Sequence, residues 1–250
     1  MPLGWWTDLE VARRSGARIA ARDDCTVVKT PDNPSYYWGN YIVVPAQARP
    51  EAAQEIFARE FPQAKHQAIG LLGQPEHAWP DVEATEVRAR RKPPTAPAVD
   101  GYTLRPLTGE DWRQAWHKET GDQGTEYADF AWRRAQARQR MVAAGDARFL
   151  GVFEGDELVA DAGIVMCGSV ARYQSVTTQP EHRGRGLASW LLADAGRWAQ
   201  HHGADQWVIL VDPDTPAARL YDHLGFSVVD VSLQIKPLPT SHFLYLLNAV

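Results

Sequence analysis

Two cysteines, Cys25 and Cys167, are all the chain has, with no C-x-x-C or Cys/His spacing around them. That leaves no basis for a disulfide framework or for a zinc site, and no metal is expected. Surplus positive charge is also lacking, since 26 Lys and Arg face 31 Asp and Glu for a formal net charge of -5 at pH 7. A general pull towards nucleic acid is thereby excluded, and any anion site must be local. The segment Met1-Pro2-Leu3-Gly4-Trp5-Trp6-Thr7-Asp8 carries neither a basic leader nor an apolar run of membrane-spanning length. A soluble, cytoplasmic protein with no membrane partner is the expectation. No G-x-x-x-x-G-K-[ST] phosphate loop occurs either, which argues against ATP.

What is present suffices for folded domains: 250 residues, 44% of them hydrophobic, with 10 Trp. The run Arg88-Ala89-Arg90-Arg91-Lys92-Pro93-Pro94-Thr95-Ala96-Pro97 combines repulsive charge with prolines that deny backbone donors, and reads as an interdomain linker or a long surface loop. Domains of 1–95 and 100–250 follow. In the first, strands are predicted over Cys25–Thr30, Tyr36–Val44 and His66–Leu72, with a turn at Asn33-Pro34-Ser35 and a helix over Glu51–Phe61. In the second, a strand over Tyr102–Leu107 precedes helices over Glu110–Lys118 and Glu126–Ala144. Strands over Phe149–Phe153, Leu158–Met166 and Val170–Thr178 then form an antiparallel meander, its first turn at Glu154-Gly155-Asp156-Glu157. A helix with Leu187, Trp190, Leu191, Ala195 and Trp198 on one face follows, then a strand over Gln206–Val211, a helix over Thr215–Leu224 and a strand over Phe226–Ile235. The fold class is α+β: a mixed, mainly antiparallel sheet flanked by helices, preceded by a smaller α+β domain.

Between the third meander strand and the helix lies Arg183-Gly184-Arg185-Gly186-Leu187-Ala188-Ser189. Glycines there let backbone N–H groups approach a phosphate, and the helix start adds unpaired amides and a positive dipole end. Arg183, Arg185 and the Ser189 hydroxyl contribute charge and donors. A tight turn opening a helix would explain the glycines equally well if the string stood alone. Its position after an antiparallel strand, rather than at the first turn of a βαβ unit, argues against NAD.

The stretch Gln179-Pro180-Glu181-His182-Arg183-Gly184-Arg185-Gly186-Leu187-Ala188 resembles the R/Q-x-x-G-x-G/A signature of the GCN5-related N-acetyltransferase superfamily, and Ala217-Ala218-Arg219-Leu220-Tyr221-Asp222-His223-Leu224-Gly225-Phe226 resembles its A-x-x-L-Y-x-x-x-G-F ending. The resemblance spans about 102 to 236. It implies acetyl-CoA as co-substrate, with pyrophosphate on Arg183 to Ser189, including Leu187 and Ala188, and pantetheine along the backbone of Val176, Thr177 and Thr178. Tyr221 is implied as the acid for the departing thiolate. Asp214 stands where the family often has Asn, so it either touches pantetheine as an acceptor or caps the following helix. An amine of a small molecule or peptide is the implied acceptor, which an acidic protein suits.

The proton acceptor is not identified. The strand Val170–Thr178 has no carboxylate; Asp122 and Glu126 sit between the leading helices, Asp161 lies on a strand and points either into the cleft or away from it, and His182 lies in the loop. The aromatic run Tyr36-Tyr37-Trp38-Gly39-Asn40-Tyr41 suits either a binding wall or a core strand. The strand order of the first hundred residues resembles a degenerate half of the same fold, which allows a tandem arrangement; no Gly-rich loop occurs there. A non-catalytic acyl-CoA sensor is the rival reading of the whole.

Overall fold

The computed structural model describes residues 1–120 and 125–235. The described residues divide into two compact units, Met1–Val87 together with 230–235, and Arg88–Val229.

The first unit opens with α1 (Leu3–Arg14), followed by β1 (Arg18–Ala21), β2 (Thr26–Lys29), β3 (Tyr41–Pro45), α2 (Pro50–Glu60), β4 (Ile69–Leu72) and most of β5 (Val82–Arg90). Strands β1, β2 and β3 pair antiparallel, and β4 joins β3 in parallel after the α2 crossover. Residues Leu233 and Gln234 of a last strand, Ser227–Ile235, add antiparallel to Leu71 and Gly70. Helix α1 was not expected. Its Trp5 lies flat against β4 and donates from Nε1 to the Leu71 carbonyl at 2.9 Å. Residue 70 must therefore be glycine, since a Cβ there would meet Trp5 Cη2 at 2.2 Å.

The strand expected over Tyr36–Val44 is a correction. The chain instead makes a 3-10 turn at Tyr37–Gly39 before β3 begins. The cause is Asn40, whose Nδ2 donates to the carbonyls of Asn33 at 2.9 Å and Tyr36 at 2.8 Å, while its Oδ1 accepts from the Thr30 amide at 3.0 Å. One buried amide side chain thus satisfies backbone groups that a strand ladder would otherwise use. The aromatic run becomes a wall inside this unit, with Tyr37 stacked on His66 at 4.1 Å.

The second unit contains β6 (Thr103–Pro106), α3 (Asp111–Thr120), α4 (Thr125–Ala143), β7 (Ala147–Glu154), β8 (Glu157–Cys167), β9 (Val170–Thr178), α5 (Leu187–His201), β10 (Gln206–Val211), α6 (Pro216–His223) and the start of β11 (Ser227–Ile235). Strands β6, β7, β8 and β9 are antiparallel neighbours in that order, and β10 runs parallel to β9. A mixed, mainly antiparallel α+β fold is what the sequence led one to expect. The β7–β8 turn pairs Glu154 with Glu157 around Gly155 at φ +58°, the position where a tight hairpin needs positive φ.

Helix α5 buries Leu187, Leu191, Leu192, Ala195 and Ala199 against β8 and β9 residues such as Ile164, Ala171 and Tyr173. Trp190 and Trp198 lie at the margin of that face, half-buried. Burying each leucine stabilises by roughly 1.5–3 kcal/mol, so the helix start is anchored from below.

The basic stretch from Arg88 departs from the expected linker at its beginning. Arg88 to Arg90 are strand, and Arg88 is buried with its guanidinium donating to the Ala218 carbonyl at 2.9 Å and to Asp222. Arg90 donates to the Leu224 carbonyl. Leu224 closes α6, and a carbonyl at that end attracts a cation because it carries the negative end of the helix dipole. Pro94 is buried too, and a Cβ on Gly196 of α5 would meet Pro93 at 2.9 Å.

Candidate active site

Strands β9 and β10 pair in parallel at Val170 with Gln206, Ala171 with Trp207 and Arg172 with Val208. There the register ends, although β9 continues to Thr178 and β10 to Val211. Parallel strands that stop pairing leave N–H and C=O groups along facing edges, and an extended ligand can add to such an edge as a further strand would. Val176, Thr177 and Thr178 lie on this stretch of β9.

A bulge sits beside it. Asp161 of β8 faces Thr177, yet two residues on Gly163 faces Gln174, so β9 carries one extra residue. The extra position shows at Ser175, exposed and at φ +49°. Left-handed backbone on a non-glycine residue costs about 1–2 kcal/mol. Arg138 of α4 helps hold it, donating from Nη2 to Ser175 Oγ at 2.5 Å.

From the end of β9 the chain passes through a 3-10 turn, Pro180–His182, into the glycine loop. Gly184 and Gly186 have φ of +74° and +85°. Gly186 is the residue before α5 and gives no side-chain cap, and the helix ladder starts with Trp190 N–H on the Gly186 carbonyl at 3.0 Å. The amides of the first α5 turn, Leu187, Ala188 and Ser189, therefore lie within the uncapped helix start. Arg183, Gly184, Arg185 and Gly186 are exposed, while Leu187 is buried as the anchor.

Neither loop arginine is a free tether. Arg183 Nε donates to the Thr178 carbonyl at 3.2 Å; Arg185 donates to Tyr102 Oη at 2.6 Å and to the Glu181 carbonyl at 3.1 Å. Tyr102 Oη also contacts His182 Nδ1 at 3.0 Å. His182 is thus a brace between loop and β6 side rather than a group in the strand gap, and Tyr102 is a loop contact with no signal in the sequence.

At the other side of the gap, α6 is capped by Thr215, whose Oγ1 accepts from the Ala218 amide at 3.2 Å and donates to the Asp212 carbonyl at 2.9 Å. Asp214 is not the cap. It is exposed, at φ +63°, in the connection from β10. Tyr221, only 2% exposed, packs with its ring 6.1 Å from Phe226. Burial pushes the phenol well above its usual range and the nearby Arg172 guanidinium pulls it back only in part. The group is a neutral O–H donor across neutral pH.

Asp161 points away from α5, towards α3. Its Oδ1 accepts from Lys118 and from Thr177 Oγ1, the latter at 2.6 Å, and Lys118 Nζ also reaches Thr177 Oγ1 at 2.8 Å. Next to this trio, Glu119 pairs with Arg134 and with Arg138 at 3.4 Å. Asp122 and the side chain of Glu126 lie outside the described residues. Lys118 is a functional candidate that sequence reasoning missed; only its contacts with Asp161 and Thr177 reveal it. Among the described residues no group of three or more His, Cys, Asp and Glu could hold a metal ion, and no helix is long and apolar enough to cross a membrane.

Comparison with known proteins places this geometry. The profile of the acetyltransferase (GNAT) family matches residues 102–226. No curated protein sequence matches the chain. Among solved structures, a GCN5-related N-acetyltransferase from Kribbella flavida is similar over 97% of this chain and 98% of its own, with TM-score 0.67 and 17% identity. A conserved protein of unknown function from Staphylococcus epidermidis covers 88% and 93% of the two chains, with TM-score 0.62 and 10% identity. A tandem GNAT protein from the clavulanic acid biosynthesis pathway covers 95% of both, with TM-score 0.54 and 14% identity.

Proposed function

Because this chain belongs to the acetyltransferase (GNAT) family, we propose that it transfers an acetyl group from acetyl-CoA to a primary amine of a small molecule or peptide. The observation that carries the reading is the parallel β9–β10 pair whose register ends at Arg172 and Val208, followed directly by the glycine loop. The residues fit the co-substrate. Two glycines at positive φ leave room for a phosphate at an uncapped helix start, and the strand edge offers amide groups for pantetheine.

In this reading the backbone of Gly184, Arg185 and Gly186 and the first amides of α5, Leu187, Ala188 and Ser189, hold the pyrophosphate, with Arg183 and Arg185 supplying charge. Val176, Thr177 and Thr178 hold the pantetheine arm, and Asp214 borders it. Bound acetyl-CoA supplies an activated thioester. The amine nitrogen bonds to the acyl carbon as the C–S bond breaks; Tyr221 gives its proton to the leaving sulfur and regains one from solvent, and the amine proton leaves to water. A phenol kept protonated by burial suits that task.

Only the second unit is assigned the co-substrate. In the first unit the equivalent parallel pair, β3 and β4, is zipped from Ile42 with Ile69 to Pro45 with Leu72, the end of both strands. The connection that follows, Ala46 to Arg49, has no glycine, and α2 starts with Pro50 and Glu51. An acid at a helix start repels phosphate.

The test is calorimetry with acetyl-CoA, then free-thiol release with a panel of primary amines. Saturable binding with amine-dependent thiol release supports the transferase. Binding without release from any amine favours a sensor, and no binding removes both.

A further inference from the structure

Resting on the reading above, we propose that Asp161 is the acceptor-binding carboxylate, fixed through Oδ1 by Lys118 and Thr177 and leaving Oδ2 to receive the ammonium or amine N–H of the incoming acceptor.

On the far side of the bulge, β8 and β9 pair Gly163 with Gln174 and Ile164 with Tyr173. Continued without the extra residue, that register would set Val176 opposite Asp161. The bulge moves Thr177 there instead, so a hydroxyl rather than a methyl group meets the carboxylate, at 2.6 Å. Thr177 lies on the stretch of β9 that has left β10. Its backbone borders the strand gap, and its side chain joins the gap to Asp161.

Lys118 closes the arrangement from α3. Its Nζ donates to Asp161 Oδ1 and to Thr177 Oγ1. Carboxylate oxygens accept hydrogen bonds from both partners. Both bonds reach the same oxygen; among the described residues Oδ2 receives none, and it is not one of the sealed, unsatisfied atoms. A carboxylate held in one orientation beside a strand edge, with one oxygen left to accept, matches a primary ammonium.

Asp161→Asn tests this, because the amide oxygen can still accept from Lys118 and Thr177 while the charge is lost. Wild-type and variant are assayed with acetyl-CoA against butylamine, 1,4-diaminobutane, ethanolamine and lysine. The expected result is an acceptor KM raised about 10- to 100-fold, as loss of a hydrogen bond to a charged group gives, with acetyl-CoA affinity and melting temperature unchanged. An acceptor KM within twofold of wild type overturns the proposal and leaves the transferase standing. Parallel loss of acetyl-CoA affinity overturns it as well, by making the trio a scaffold. A wild type that binds acetyl-CoA and acylates none of the four overturns both readings. Should Asp161→Asn not fold, Asp161→Glu keeps the charge but carries the carboxylate out of line with Lys118 and Thr177. It should raise acceptor KM several-fold at unchanged acetyl-CoA affinity, and no change there overturns the proposal.

Discussion

Replacing Gly186 with valine separates binding from folding at the glycine loop. Gly186 has φ +85°, and a Cβ there would meet no atom closer than Val99 Cγ2 at 3.9 Å. Space is therefore ample, and the folding penalty is the left-handed backbone alone, about 1–2 kcal/mol. For a chain of this length each kcal/mol lowers the melting temperature by about 2–4 °C, so the variant should melt only some 2–8 °C early. Binding should suffer more. If relaxing the loop costs two backbone N–H bonds to a charged phosphate, at about 1.5–3 kcal/mol each, coenzyme A affinity falls roughly 10²- to 10⁴-fold. Calorimetry with coenzyme A alongside a thermal melt reads both quantities. Gly145, past the end of α4 at φ +78° with open space around it, provides the control. Gly145→Val should melt earlier by a similar amount and bind normally. A folded Gly186→Val protein with affinity within threefold of wild type would remove the loop from the co-substrate site.

Tyr221→Phe should keep acetyl-CoA affinity and ring packing while thiol release slows by about 10²- to 10⁴-fold, the usual reach of general acid catalysis; full activity would transfer the role to water or another donor. Calorimetry on the whole chain should give one coenzyme A per chain, because β3 and β4 are zipped to their ends; two sites would show that the first unit had been misjudged. Burial raises the phenols of Tyr41, Tyr173 and Tyr221. With folded values above the unfolded one near 10, the folded state binds more protons at high pH. Their stabilising contribution is thus complete below about pH 10 and is lost as pH rises beyond it. Urea midpoints should hold to about pH 9 and then fall, and Tyr173→Phe should flatten that fall; an unchanged slope would contradict the assignment.

Much of the second unit was legible because its signals are local. The α5 face follows from Leu187, Leu191 and Ala195 at helical spacing, the hairpin from Gly155, and the loop from Gly184 and Gly186. What stayed hidden depends on partners distant in sequence. The bulge at Ser175 has no composition of its own; it exists through the offset between β8 and β9, and with it goes which residue of β9 faces Asp161. Asp214 offered a capping alternative, and the cap proved to be Thr215, one position on, because its hydroxyl reaches the Ala218 amide. In the first unit, β-propensity over Tyr36–Tyr41 lost to the four backbone groups that Asn40 satisfies. Arg88 read as linker charge because its partners, Ala218 and Asp222, lie 130 and 134 positions away.

Movement of an acyl group to an amine at the β9–β10 gap can be followed by label transfer. The protein is incubated with acetyl-CoA carrying a deuterated acetyl group and the amine panel, and products are read by mass spectrometry. Free thiol and labelled amide should appear in equal amounts, and Gly186→Val protein at low co-substrate should form far less of either. Labelled free acetate with no amide would make the chain a thioesterase and contradict transfer to an amine.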